Sequence, residues 1–319
     1  MELKVGFIGL GNAGGKLAGS LLRNDVDLTV RDLDKTTAKN LLKEGAKWAD
    51  SPKQMAENVD MVITCLPSPS ACANVMEGED GVLNGLSQGK IWAEMSTTDS
   101  NEVKRLSEKV LALGAHPIDC PVSGGCHRAA TGNISILAGC DRNTFEMAFP
   151  ILKTMGRRIL HVGDIGTASI LKVMTNYLAT VNLISISEAL TTAKAMGLDL
   201  NTTYEAIAIS SGNSFVHETE GQVILNGSRD ISFTMGLVLK DTGLFQKLAE
   251  SHNVPLEISP KVVEIFQEGV KKYGPDELSP NIIKRLEEST GLSITAPGFP
   301  AEMIDDEPEE SGYEVEIKK

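Results

Sequence analysis

The sequence predicts an α/β fold in which an N-terminal, Rossmann-type doubly wound sheet is joined by a long interdomain helix to an all-α C-terminal domain. Three observations predict it. The first half alternates short apolar runs with amphipathic stretches, the second half carries only long helical patterns, and a proline-free apolar segment separates the halves. We therefore predict a sheet domain at 1–165, the interdomain helix at 166–196, a helical domain at 197–294 and an acidic, flexible tail at 295–319.

Short apolar runs bounded by turn residues predict the strands. They lie at Lys4–Ile8, Leu28–Arg31, Asp60–Cys65, Lys90–Glu94, His116–Asp119, Ile134–Ala138 and Arg158–His161. Amphipathic stretches separate several of them, at Gly15–Arg23, Lys35–Lys43 and Asn101–Leu113. Because a helix that joins two strands of one sheet normally leaves them parallel, this order favours a largely parallel sheet covered by helices on both faces.

The segment at 166–196 is apolar on nearly every side of a helix, so it must be buried all round, between two domains or between two subunits. Further helical patterns lie at Asn201–Ser210, Ser214–Asn226, Met235–Ser251, Pro260–Tyr273 and Pro280–Ser289. After Ile294 the chain has prolines, a glycine and acidic residues without periodicity, a composition typical of a disordered end.

Composition narrows the possible partners. The net charge of −13 disfavours nucleic acid and anionic membranes, and residues 296–319 alone hold eight acidic residues and two lysines. No apolar stretch approaches the roughly 20 residues that cross a bilayer, so we predict no membrane span. The N-terminus begins as a strand rather than a targeting signal. Five cysteines without a CxxC pair indicate reduced thiols and a cytoplasmic location.

A glycine-rich turn follows the first predicted strand and precedes a helix, which is the context that a dinucleotide-binding turn requires. Its residues are Gly9, Leu10, Gly11, Asn12, Ala13 and Gly14. Gly9 permits the tight turn, Gly11 lets the backbone approach a pyrophosphate, and Gly14 lets the helix pack closely on the strand. The helix N-terminus adds free N–H groups for the phosphates. The alternative is a glycine-rich turn that binds nothing.

Asp32 indicates which of the two cofactors, NAD or NADP, the protein binds. It ends the second strand, where a carboxylate can accept hydrogen bonds from both ribose hydroxyls and would repel a 2′-phosphate. Arg31 should point to the opposite face by strand alternation, and Leu33 offers no positive charge. We therefore predict NAD rather than NADP. The alternative is that Asp32 only begins the following turn.

Two segments are candidates for the chemistry. Ser123, Gly124 and Gly125 follow a predicted strand and could offer a hydroxyl and two backbone N–H groups to a small anion, although such a sequence is equally typical of a plain loop. Lys172 and Asn176 lie four residues apart on the long helix and so share a face. Burial lowers the pKa of a lysine and so suits it to proton transfer. The alternative is a lysine that extends to solvent.

Three motifs, in order and at matching distances, resemble the β-hydroxyacid dehydrogenase family, which includes 3-hydroxyisobutyrate dehydrogenase, tartronate semialdehyde reductase and γ-hydroxybutyrate dehydrogenase. They are GFIGLGNAG at 6–14, DCPVSGG at 119–125, and KVMTN at 172–176 after GDIGTA at 163–168. The resemblance covers residues 1–294. It implies an NAD-dependent oxidoreductase that transfers a hydride to or from a small 3-hydroxy acid. Together with the apolar helix it favours a homodimer or a homotetramer.

The resemblance also implies residue roles. Ser123, Gly124 and Gly125 would hold the substrate carboxylate, Lys172 would be the general acid/base, and Asn176 would orient the substrate oxygen or the lysine. Lys240 matches a lysine that family members bring to substrate and nicotinamide. Segments that line the cofactor are matched by loops containing Leu66, Pro67 and Thr97. This chain departs from many relatives at Thr175 and at Cys126-His127, and His127 is a further candidate substrate contact.

Alternatives stay open at this stage. One is a semialdehyde reductase that acts on a 4-hydroxy or sulfonate-bearing acid, and another is a non-catalytic dinucleotide-binding scaffold. Imine reductases share the architecture, but they generally lack the lysine, so Lys172 argues against that class. No His, Asp and Glu residues are grouped at ligand spacing, and we predict no metal. The sequence leaves the identity of the hydroxy acid or semialdehyde open.

Overall fold

The structure, a computed structural model, describes residues 3–317. The chain forms two compact units. The first unit contains the residues up to Lys172 together with those from Asp305 onward, and the second unit is Val173–Ile304. The boundary therefore falls inside the long helix rather than before it, and the tail that follows the second unit in sequence belongs to the first.

Within the described residues, the first unit is built on a ten-stranded sheet in the order β10-β9-β8-β6-β5-β4-β1-β2-β3, with β7 paired to β8. The strands are β1 (Val5–Ile8), β2 (Leu28–Arg31), β3 (Lys47–Trp48), β4 (Met61–Thr64), β5 (Ile91–Glu94), β6 (His116–Asp119), β7 (Val122–Ser123), β8 (Ile134–Gly139), β9 (Gly156–Gly163) and β10 (Tyr313–Glu314). Each of the seven predicted strands is present. The two-residue strands β3, β7 and β10 were not predicted, because so short a run carries no periodicity.

Strands β3, β2, β1, β4, β5 and β6 are all parallel and have the order of a doubly wound dinucleotide-binding sheet. β2 and β3 lie on one side of β1, and β4, β5 and β6 lie on the other side, so the strand order reverses between β1 and β4. Ligands of such sheets bind beyond the carboxyl ends of the strands at this switch point. The glycine turn follows β1 at that end, and residues 65–67 follow β4 there.

The helices of the first unit cover this sheet, and side-chain caps fix where several begin. They are α1 (Gly14–Arg23), α2 (Lys39–Lys43), α3 (Pro52–Asn58), α4 (Pro69–Glu77), α5 (Ser100–Ala112), α6 (Cys126–Ala130) and α7 (Arg142–Met155). Ser51 and Ser68 cap α3 and α4, each followed by proline at the first helical position. Asp99 and Asp141 cap α5 and α7. Each capping side chain accepts a hydrogen bond from a backbone N–H of the first turn, which has no carbonyl partner within the helix.

Helix α8 (Thr167–Ala195) is one continuous element. The second unit adds α9 (Leu200–Ala208), α10 (Phe215–Glu218), α11 (Glu220–Asn226), α12 (Met235–Ser251), α13 (Ile258–Tyr273) and α14 (Lys284–Thr290). Its core includes Leu190, Leu225 and Phe266. The prediction of one helix over Ser214–Asn226 is wrong, because Thr219 (φ −111°, ψ −75°) leaves helical geometry and separates α10 from α11.

Among the described residues, α8 is long and apolar enough to cross a membrane by length and composition alone. This corrects the expectation that no apolar stretch approaches the required length. A core helix of a globular protein meets the same criterion, and Leu183, Ile186 and Leu190 of α8 lie in the core of the second unit. Met174 and Leu178 of the same helix are exposed, so the predicted burial on all sides is not present within the single chain.

The C-terminal tail differs from the sequence-based expectation. Strand β10 runs parallel to β9, and the Gly312 N–H donates to the Lys153 carbonyl at 2.8 Å. Arginine–carboxylate ion pairs accompany this strand: Arg23–Glu309, Arg128–Glu307, Arg142–Glu314, Arg157–Glu310 and Arg158–Glu307. The prediction of a flexible tail is therefore wrong over Asp305–Glu314. The acidic run that indicates disorder in isolation faces arginines of the first unit, which neutralise it.

Candidate active site

The glycine turn after β1 has the close contacts that only glycine allows. Gly9 has a φ of +97°, and a Cβ there would lie 2.2 Å from the Cys65 carbonyl oxygen. A Cβ on Gly14 would lie 2.0 Å from the Gly9 carbonyl oxygen. A Cβ on Gly11 would meet nothing within 4 Å. The outer glycines are thus needed for packing, and the middle one leaves open space where a pyrophosphate must approach the backbone.

Asp32 lies beside this turn. Its Oδ2 accepts a hydrogen bond from the Leu10 N–H at 2.6 Å, and its Oδ1 accepts one from the Asp34 N–H at 3.1 Å. Arg31 points elsewhere, because its Nη1 donates to the Ala49 carbonyl at 3.1 Å and its guanidinium lies over the Trp48 ring. The carboxylate is therefore held at the turn without a neighbouring arginine that could neutralise a 2′-phosphate.

Two more loops at the same edge of the sheet are joined by Glu94, the last residue of β5. The Ser96 N–H donates to Glu94 Oε1 at 2.8 Å, and the Leu66 N–H donates to the Ser96 hydroxyl at 2.7 Å. Thr64 and Cys72 both donate to Glu94 Oε2. The side chain is fully buried, and burial raises the pKa of its carboxyl. Glu94 thus fixes the positions of Leu66 and of Ser96, which directly precedes Thr97. The family resemblance assigns Leu66 and Thr97 to the cofactor site.

The serine–glycine–glycine segment is not a plain loop. Val122 and Ser123 form β7, in which Ser123 lies opposite Ser135 of β8. Gly124 and Gly125 follow with φ values of +126° and +89°. Side chains rarely adopt such φ values, so both positions need glycine. The geometry places a serine hydroxyl next to two consecutive glycine N–H groups at the N-terminus of α6.

Asp119, at the end of β6, connects this segment to the start of α8. Its carboxylate accepts hydrogen bonds from the Ser169 N–H at 2.8 Å and from the Ser169 hydroxyl at 2.7 Å. Lys172 follows one turn later on α8 and is buried, with 7% of its surface exposed. Asp119 therefore fixes the helix that carries Lys172 to the strand that leads to Ser123.

Replacing Asp119 by asparagine should change how stability depends on pH. Burial raises the pKa of Asp119 from its usual 3.8 to about 6. The folded state therefore holds a proton that the unfolded chain releases, so this contribution to stability is complete below pH 4 and is lost as the pH rises through 6. The free energy of unfolding of the wild type should fall relative to Asp119→Asn by up to about 3 kcal/mol between pH 4 and 7.

Urea unfolding followed by tryptophan fluorescence measures this difference within the first unit, since both tryptophans, Trp48 and Trp92, belong to it. Asp141→Asn is the matched control. Asp141 caps α7, and hydrogen bonds from Thr144 lower the pKa of its carboxyl. The difference in the free energy of unfolding between the wild type and Asp141→Asn should therefore change with pH in the opposite direction. Equal pH profiles for Asp119→Asn and the wild type would contradict the assignment.

In the second unit, Asn176 and Lys240 meet a shared acid. The Asn176 Nδ2 donates to Asp241 Oδ2 at 2.6 Å, and Lys240 Nζ lies 3.1 Å from Asp241 Oδ1. Because a carboxylate only accepts hydrogen bonds, Asp241 fixes which way the Asn176 amide points. Sequence reasoning did not assign a role to Asp241. Its position directly after Lys240 and within an apolar helix was the only available signal.

The remaining polar residues to place are His127 and those of the segment Ser210–His217. His127 lies on α6, where burial lowers the pKa of its imidazole. Ser214 caps α10, Asn213 donates to Glu218 at 2.8 Å, and His217 is buried with its Nε2 at 2.9 Å from the Tyr204 carbonyl. The polar residues Asn213, Ser214 and His217 predict that the segment Ser210–His217 forms a polar distal wall of the substrate pocket, and these bonds do not favour that prediction. Within residues 3–317, no group of three or more His, Cys, Asp or Glu side chains could hold a metal ion.

The sheet order and the glycine turn after β1 are those of a dinucleotide-binding domain. Comparison with protein families agrees, since residues 4–163 match the model described as the NAD-binding domain of 6-phosphogluconate dehydrogenase. Residues 166–286 match a second model, described as NAD-binding of NADP-dependent 3-hydroxyisobutyrate dehydrogenase.

Whole-chain comparisons give the same assignment. The 2-(hydroxymethyl)glutarate dehydrogenase of Eubacterium barkeri is 32% identical over 92% of this chain and 98% of its own length. The mitochondrial 3-hydroxyisobutyrate dehydrogenase of Mus musculus is 31% identical over 82% of this chain and 81% of its own. A crystal structure of 3-hydroxyisobutyrate dehydrogenase from Salmonella typhimurium superimposes with a TM-score of 0.81, at 27% identity over 89% and 99% of the two chains. The chain belongs to the 3-hydroxyisobutyrate dehydrogenase-like β-hydroxyacid dehydrogenases.

Proposed function

We propose that this protein is an NAD-dependent dehydrogenase that oxidises the primary hydroxyl of a small 3-hydroxy acid to the semialdehyde, and catalyses the reverse reduction. The observation that carries the proposal is the placement of Lys172. It is buried, and Asp119 joins the start of its helix to the strand that leads into the serine–diglycine bend. Lys172 and this bend belong to the same unit, which supports their proposed roles as proton-transfer group and anion site.

Each residue has a role in this proposal. The Ser123 hydroxyl and the N–H groups of Gly124 and Gly125 bind the substrate carboxylate. During oxidation the Lys172 amine takes the proton of the hydroxyl group, and during reduction the Lys172 ammonium returns a proton to the carbonyl oxygen. When bound, the nicotinamide accepts or donates the hydride. Asn176, oriented by Asp241, and Lys240 contribute polar groups to the substrate, as the family resemblance implies.

The names of the relatives indicate the substrate class. 3-Hydroxyisobutyrate and 2-(hydroxymethyl)glutarate are both 3-hydroxypropanoates with a substituent at carbon 2, and they differ only in that substituent. The shared part is a carboxylate two carbons from a primary alcohol. An anion site and a proton-transfer group suffice to recognise it, so we propose 2-substituted 3-hydroxypropanoates as the substrate class.

A substrate panel tests the function. It compares 3-hydroxyisobutyrate, 2-(hydroxymethyl)glutarate, a 4-hydroxy acid and a sulfonate-bearing hydroxy acid, each with NAD and NADP, by the absorbance of the reduced nicotinamide. The proposal expects the highest kcat/KM for one of the first two. Preference for the 4-hydroxy or the sulfonate acid would favour a different semialdehyde reductase. No turnover, with NAD still bound, would favour a non-catalytic scaffold.

Asp32→Ser should lower the ratio of kcat/KM with NAD to kcat/KM with NADP by about 100-fold. The substitution removes charged hydrogen bonds to the ribose, worth about 1.5–3 kcal/mol, together with the repulsion of a 2′-phosphate. Asp34→Ser is the control, because that carboxylate accepts from the N–H and hydroxyl of Thr36 in its own turn. Equal cofactor preference in the wild type and Asp32→Ser would exclude a ribose contact.

We further propose a soluble, cytoplasmic homodimer or homotetramer whose partners are its small anionic substrate and NAD. Neither nucleic acid nor a membrane is expected as a partner, because the chain carries a net charge of −13. Size-exclusion chromatography with light scattering measures the assembly state.

A further inference from the structure

The acidic tail packs beside α6, the helix that begins directly after Gly125. We name residues Asp305–Glu314 the tail strap. The Asp305 side chain is only 3% exposed and accepts hydrogen bonds from the Thr131 hydroxyl and, at 2.7 Å, from Asn133 Nδ2. Asn133 Nδ2 also donates to the Glu307 carbonyl at 2.8 Å. This end of the strap is therefore fixed by hydrogen bonds in a buried place, where they stabilise more than exposed ion pairs do.

Arg128 lies under this end of the strap. Its Nη2 is 3.4 Å from Glu307 Oε1, and its Nε is 3.9 Å from Asp305 Oδ1. Glu307 is itself held by Arg158, whose two terminal nitrogens each lie 3.0 Å from a Glu307 oxygen. The guanidinium of Arg128 thus faces two carboxylates that are already held in place, Asp305 by its hydrogen bonds and Glu307 by Arg158.

The aliphatic part of the Arg128 side chain packs on the serine–diglycine bend, which is the proposed site of the substrate carboxylate. Its Cδ lies 3.3 Å from the position that a Cβ on Gly124 would occupy, on the face of the bend that also meets Ile134. Helix α6, which carries Arg128, begins directly after Gly125. Two consecutive glycines at positive φ have much conformational freedom, so the bend needs a neighbouring group to hold it in one geometry.

We propose that Arg128 is a positioning residue for the carboxylate-binding bend at Gly124 and that the tail strap, through Asp305 and Glu307, holds Arg128 in place. The inference rests on the proposed function, because it assigns the bend to the substrate carboxylate. In this arrangement the last part of the chain completes the substrate site without contacting substrate. A misplacement of the bend by a fraction of an ångström lowers turnover of carboxylate-bearing substrates.

A double-mutant cycle tests the coupling. Arg128→Met keeps an apolar stem on Gly124 and removes the charge, and the paired change Asp305→Asn/Glu307→Gln removes the charges of the strap while keeping its length and β10. Each variant should raise the KM of the hydroxy acid about 10-fold. The combination should be no worse than either variant alone, because each breaks the same connection.

Two readouts separate positioning from general destabilisation. The methyl ester of the same hydroxy acid has no carboxylate, so its kcat/KM and the dissociation constant of NADH should stay within about twofold of the wild type. Glu314→Gln is the matched control, because it breaks the Arg142 ion pair at the far end of the strap and leaves Arg128 untouched. Its KM for the acid should equal that of the wild type.

Hydrogen exchange tests the same connection without catalysis. In the full-length protein with NADH, amides of residues 122–130 should exchange at least about 10-fold faster in the strap variant than in Glu314→Gln. Additive effects of Arg128→Met and the strap change, equal losses for acid and ester, or unchanged exchange over 122–130 would each overturn the proposal. A wild type that oxidises no hydroxy acid would instead contradict the proposed function, and the exchange result would still decide whether the strap holds the bend.

Discussion

Replacing Lys172 with alanine is expected to lower kcat by at least about 100-fold while NADH binding stays within about twofold. The substitution removes the group that takes the hydroxyl proton, and a correctly placed acid/base contributes roughly 10²–10⁴-fold. The glycine turn and Asp32 are untouched by it. Stopped-flow turnover of the preferred hydroxy acid and a fluorescence titration with NADH measure the two quantities.

Lys194→Ala is the matched control, because it removes another lysine from the same helix, within its last turn. Its kcat should match that of the wild type. A primary amine added to Lys172→Ala should restore part of the lost rate, since a free base can replace a missing proton acceptor. Unchanged kcat in Lys172→Ala would show that another group moves the proton.

Replacing Arg229 with methionine is expected to lower the free energy of unfolding by about 3–5 kcal/mol. Arg229 Nη2 donates to both carboxylate oxygens of Glu287, at 2.7 and 2.8 Å, and the two side chains are only 9% and 15% exposed. Glu287 also accepts the Ile294 N–H at 2.8 Å. Without the arginine, a buried carboxylate loses its counter-charge, which costs far more than the pair itself contributes.

Scanning calorimetry measures the effect as a lower Tm. Lys261→Met is the control, because the Lys261–Glu264 pair is exposed and should contribute less than about 1 kcal/mol. The double change Arg229→Met/Glu287→Leu should recover much of the stability, since neither charge is then left buried. Equal Tm shifts for Arg229→Met and Lys261→Met would mean that burial does not matter at this pair.

The parts of the fold that local patterns encode could be predicted from sequence. The first strand, the glycine turn, α1 and Asp32 follow one another in the chain, and Gly9 and Gly14 each have a steric reason to be glycine. The long helix was predicted to within one residue at either end, because it has no proline and a continuous apolar composition. The family resemblance was specific because three motifs occur in order.

What could not be predicted depends on partners distant in sequence. Glu94 ends an apolar strand, and its importance comes from bonds to Cys72, Thr64 and Ser96 that no spacing indicates. The tail was predicted to be flexible because acidity without periodicity is typical of disorder. Its order comes from arginines placed by other elements, and sequence alone does not say that these face one surface.

The return of the tail to the first unit has a consequence for how the protein matures on the ribosome. Strand β10 and Asp305 come after the whole second unit in the order of synthesis. Domains usually fold as units while later ones are still being made. Here the central strands of the first unit can pair early, but its last strand, β10, is made only after the whole second unit, so the sheet is completed late in synthesis.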